Sequence, residues 1–86
     1  MKRAKSIHIK EYIELISHLR MERKRLGLSQ LDVAIKLKMQ QSEISKIETN
    51  ERRLDILEFK ELLKIYDINN NKEFKNLVID FFLNNN

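Results

Sequence analysis

Apolar residues recur at intervals of three and four along most of the chain, the spacing of one face of a helix. Ile9, Ile13, Ile16 and Leu19 form the first such stripe and predict a helix over about 9–25. Gly27 follows it, the residue type that most easily turns left-handed after a helix. Ser29-Gln-Leu-Asp32 has capping-box form, so a second helix starts at Gln30 and runs to about Leu37. A third covers about 41–48, with Asn50 as a left-handed terminator. Asp55-Ile-Leu-Glu58 is a second box, with Asp in place of Ser or Thr, and opens a fourth helix over about 56–66. Asn69-Asn-Asn71 interrupts the chain, and a fifth helix covers about 72–83. Residues 1–8 are basic and read as a flexible arm, for DNA phosphates or for solvent alone.

Composition narrows the fold class. Proline is absent and glycine occurs once, whereas sheets and long loops usually need more of both. An all-α fold is expected. A chain of 86 residues suits one domain, 1–86, with one modest core. The absence of cysteine excludes disulfides and thiolate metal sites. His8 and His18 sit outside any metal-ligand spacing, so neither metal nor cofactor is expected. No paired carboxylates, nucleophile–base set or phosphate-binding glycine loop appears, so no catalytic residues are expected and the chain does not read as an enzyme. No apolar run approaches the length of a membrane span. Lys2, Arg3 and Lys5 precede no apolar segment of signal-peptide type, so a cytoplasmic location is expected. The net charge of +4 points to a polyanionic partner.

The third helix changes the picture most. At about 100° per residue, Ile44 and Ile47 fall together on one side. Ser42, Ser45 and Lys46 occupy the opposite side, with Gln41 at its edge. An ordinary solvent face would carry more Glu and Lys. Short hydrogen-bonding side chains suit a face that touches base edges: Gln pairs with adenine, Lys with guanine, Ser with either. In the second helix Val33, Ala34 and Leu37 face inward, and Ala34 is small enough for a close crossing. Met39, in the turn, can plug the core between the two helices.

The segment "GLSQLDVAIKLKMQQSEISKIETN" resembles the helix-turn-helix of the lambda-repressor/Cro superfamily. The likeness runs without a gap from about Leu19 to Ile68. It includes Leu19, Arg20 and Arg23, then "GLSQ" at 27–30, "ISKIE" at 44–48 and "ERRLD" at 51–55. The resemblance implies a five-helix lambda-repressor-like DNA-binding domain whose motif spans 30–48 and whose third helix enters the major groove. Carried onto this chain, it makes Gln41, Ser42 and Lys46 the base readers, with Gln40 and Ser45 as second choices. It puts Gln30, Thr49, Asn50, Arg52 and Arg53 against the DNA backbone. It also implies a partly buried ion pair between Arg23 and Glu48, structural in role. Three departures stand out. Lys38, Asn50 and Asp67 occupy positions where the family often has glycine. Glu43 is awkward beside phosphates: it either accepts from a cytosine amino group or simply points along the groove edge.

Two apolar surfaces are left over. Phe74, Leu77, Val78, Phe81 and Phe82 exceed what one small core absorbs, and family members commonly pair through this helix. A homodimer through 72–83 is expected. Leu31 and Ile35 stand where relatives carry polar residues, and are expected to lie under the first helix or to meet a partner. Two functions follow. One is a sequence-specific transcriptional regulator, of repressor type, binding double-stranded DNA at a palindromic operator. The other is an antitoxin-like module that masks a toxin-like partner protein and binds DNA secondarily.

Overall fold

The computed structural model describes residues 9–83. Five α-helices follow one another: α1 (Lys10–Arg25), α2 (Gln30–Leu37), α3 (Gln41–Glu48), α4 (Ile56–Ile65) and α5 (Lys72–Leu83). A 3-10 turn, Ile68–Asn70, separates the last two. No strand occurs among the described residues. The arm with Lys2, Arg3 and Lys5 lies outside them. No helix is long and apolar enough to cross a membrane, and no cluster of metal-ligating side chains occurs among the described residues.

The helix starts are local chemistry. Ser29 Oγ accepts from the Asp32 amide at 3.0 Å, and Asp32 Oδ2 accepts from the Ser29 amide at 2.9 Å. Asp55 and Glu58 repeat the exchange at 2.8 and 3.1 Å. Each box satisfies two amides that the helix start leaves without partners. The ends are equally local. Gly27, Lys38, Asn50 and Asp67 all have left-handed φ, at 73°, 59°, 65° and 52°. At Lys38 the amide reaches Ile35 O and the next amide, of Met39, reaches Ala34 O at 2.9 Å. Asn50 and Glu51 close α3 in the same way onto Ile47 O and Lys46 O. At Lys38 this reversal turns the chain from α2 into α3 within three residues.

The core gathers Tyr12, Leu15, Ile16 and Leu19 of α1 with Val33, Ala34, Ile44, Ile47, Phe59, Leu62, Tyr66, Phe74 and Val78. Met39 packs against it from the motif turn. The buried face of α1 differs from the stripe expected. Ile9 and Ile13 remain more than a third exposed, and Tyr12 takes the inner position instead. Its hydroxyl accepts from the Leu54 amide at 3.0 Å, which anchors the loop before α4 to α1. A phenol can serve both ends, an apolar ring for the core and an oxygen for a loop amide.

Two expectations about apolar surface are corrected. Phe74 and Val78 are buried within the single chain and cannot form a dimer surface. Leu77 and Phe81 are partly buried against the same core. What α5 leaves exposed is Ile79, Phe82 and Leu83. The cause is helical phase. Phe74, Val78 and Phe81 follow the inner face, while Ile79 and Leu83 fall on the outer one. Leu31 and Ile35 are not covered by α1 either; they stand 51% and 66% exposed.

Candidate nucleic-acid interface

The framework of the site is an ion pair between α1 and α3. Arg23 donates from Nε to Glu48 Oε2 at 2.7 Å and from Nη2 to Oε1 at 2.9 Å. Its Nη1 donates to the Leu28 carbonyl at 2.9 Å. Both side chains are more than nine-tenths buried. The hydrogen bond to Glu48 pushes the Arg23 pKa up, against the opposing effect of burial. Burial pushes the neighbouring Tyr66 phenol well above its usual range, and the Glu48 charge adds to this. The two ends of the carboxylate–guanidinium fork fix the rotation of α3 about its own axis.

That rotation decides what α3 presents. Ile44 and Ile47 are buried. Gln40, Gln41, Ser42 and Lys46 are exposed and Ser45 is half-buried. Gln40 precedes the helix, yet its side chain makes no capping bond. None of these five side chains has a hydrogen-bond or ion-pair partner among the described residues. The five base-reading candidates therefore form one polar, unspent surface.

The residues expected on the DNA backbone divide. Arg53 is exposed and without an ion-pair partner among the described residues. Gln30 instead turns its amide to Glu48 Oε1 at 3.0 Å, joining the buried ion pair. One of its amide hydrogens is thereby committed to the protein. Thr49 faces its own loop, with its hydroxyl 3.0 Å from the Ser45 carbonyl and 2.7 Å from Glu51 Oε2. Asn50 serves the turn through its left-handed backbone, and its Oδ1 is buried without a partner.

Arg52 departs furthest from the expectation. It forks onto Glu58, from Nη1 to Oε1 at 2.9 Å and Nη2 to Oε2 at 2.8 Å. Nη1 also donates to the Arg53 carbonyl at 3.1 Å. Its Nε lies 2.8 Å from Glu43 Oε1. Each of its three nitrogens is engaged inside the protein, so it braces the loop to α3 and α4, with one Nη2 hydrogen left uncommitted. The Glu58 hydrogen bond pushes the Arg52 pKa up. In return Arg52, with the Asp55 amide, holds Glu58 below the usual carboxylate range in spite of burial. The second task of Glu58 went unseen in the sequence. A capping box is legible from spacing, but the loop that returns Arg52 to it is not.

The polar face of α3, held by Arg23 and Glu48 and flanked by exposed Arg53, has the form of a surface for base edges and phosphates. A search among curated proteins gave no match. A family model of helix-turn-helix proteins matches residues 19–69. This covers more than half of the chain and includes both helices of the motif. The chain belongs to the helix-turn-helix family of Cro/C1 type, whose members are DNA-binding transcription regulators.

Proposed function

We propose that the protein is a sequence-specific regulator that binds a palindromic operator as a homodimer, with α3 of each copy in the major groove. Gln41, Ser42 and Lys46 read bases, and Gln40 and Ser45 add to the contact. Arg53 and the second amide hydrogen of Gln30 contact phosphates. The observation that carries the reading is the free polar face of α3 on a helix whose other side is locked by Ile44, Ile47 and Glu48. Leaving such groups free of the protein and fixing them in space lowers the ordering cost when a base edge arrives.

The dimer surface in this reading moves to the exposed side of α5. Ile79, Phe82 and Leu83 are 42%, 50% and 72% exposed. Ile56, at 67%, borders the same apolar hollow as Phe82. Pairing there would bury them and set two α3 helices about one DNA turn apart.

Selection of bound sequences from a random DNA library tests the proposal, with the wild type and the Gln41→Ala/Lys46→Ala variant. A palindromic motif that the variant loses supports it. Only weak, salt-sensitive binding without a motif sinks it. That result would favour the antitoxin-like reading, which the exposed Leu31 and Ile35 keep alive as a surface for another protein.

A further inference from the structure

Glu43 lies in the first turn of α3, next to Ser42, on a surface proposed to meet a polyanion. Its carboxylate is held in a particular way. Glu43 Oε1 lies 2.8 Å from Arg52 Nε, and Arg52 is itself fixed by the Glu58 fork. Oε2 of Glu43 has no partner among the described residues, and the side chain is 42% exposed. One guanidinium thus serves two carboxylates. The guanidinium and its two carboxylates together carry one negative charge, and they line one open hollow with Gln40 and with Lys38, whose ammonium balances that charge.

Such a group is unfavourable against phosphate and favourable against a donor. In the major groove a carboxylate can accept from the amino group of cytosine N4 or adenine N6, and adenine carries the N7 acceptor beside its amino group, which leaves cytosine the better match. The acceptor edges of guanine and thymine repel it, so the same oxygen selects and excludes. We propose that Glu43 is a specificity residue whose free carboxylate oxygen accepts a hydrogen bond from a cytosine amino group, with Arg52 holding the side chain in place. This inference rests on the regulator reading above and names one base that it would recognise.

The same library selection, run with the full chain and with Glu43→Gln and Glu43→Ala, tests it. The wild type is expected to require cytosine at one position of its motif. Glu43→Gln should change that preference to adenine, whose edge an amide matches. Glu43→Ala should relax it, with a loss of about tenfold in discrimination at that position and none elsewhere. An unchanged motif in both variants, with affinity raised alike for all sequences, overturns the inference and leaves the regulator reading standing. Absence of any motif for the wild type overturns both.

Discussion

Arg23 on α1 and Glu48 at the end of α3 share a two-pronged ion pair at 2.7 and 2.9 Å, with both side chains more than nine-tenths buried. Gln30 at the start of α2 joins it at 3.0 Å. Three helices therefore meet at one carboxylate. Cutting one partner leaves a buried charge, which costs about 3 kcal/mol or more. Arg23→Met and Glu48→Leu are each expected to lower stability by that amount in urea titrations. The double variant should recover much of the loss, because neither charge is then stranded. Single losses below about 1 kcal/mol would mean that water screens the pair.

Lys38 is the second test. Its φ of 59° places a side chain where glycine is at ease. A left-handed residue with a Cβ costs about 1–2 kcal/mol, and glycine's greater freedom in the unfolded chain offsets part of the gain from replacing it. Lys38→Gly is expected to raise stability by about 0.5–1 kcal/mol. Lys38→Ala should give no such gain, since alanine keeps the Cβ. Thermal melting of the two variants side by side separates backbone strain from a simple change of charge.

Acid should loosen the junction of α1 with α5. Glu22 is buried, which by itself raises its pKa. Hydrogen bonds from Arg25 and Asn71 and the nearby positive charges outweigh this and bring it below its ordinary 4.5. Glu58 is lowered by the Arg52 hydrogen bond, against burial. A depressed carboxylate stabilises the fold fully above its unfolded value and loses that contribution as pH falls through the folded value. Stability should hold from neutrality down to about 4.5 and fall below it. Glu22→Gln is expected to be less stable at neutral pH and to show a shallower acid fall. An acid limb as steep as the wild type's would remove Glu22 from the account.

The two sides of α5 should answer differently to substitution. Phe74→Ala empties a buried site and is expected to cost about 3 kcal/mol or more. Ile79→Asp changes an exposed residue, so the monomer should keep its fold while any dimer weakens. Sedimentation velocity at matched concentrations checks this. A wild type that stays monomeric at high micromolar concentration would end the dimer proposal.

The five helices were legible in the sequence because their limits are set by neighbours. The Ser29–Asp32 and Asp55–Glu58 boxes and the turns at Gly27 and Asn50 involve groups a few residues apart. The polar face of α3 was legible for the same reason, since it follows from the helical repeat alone. The bracing role of Arg52 was not legible. Its charge and its place after α3 are visible in the chain, but its partners Glu43 and Glu58 sit on two different helices.

By themselves, the residues determined where helices begin and end and which side of α3 is polar. These rest on capping bonds and on a fixed turn of about 100° per residue. Only the tertiary structure decided which polar groups remain free. Tyr12 meets Leu54 across 42 positions and Asn71 meets Glu22 across 49. Such contacts depend on how helices pack, and packing is a property of the whole core. It buried Phe74 and Val78, left Ile79 and Leu83 outside, and tied Arg52 to Glu43 while leaving Gln41, Ser42 and Lys46 unbound.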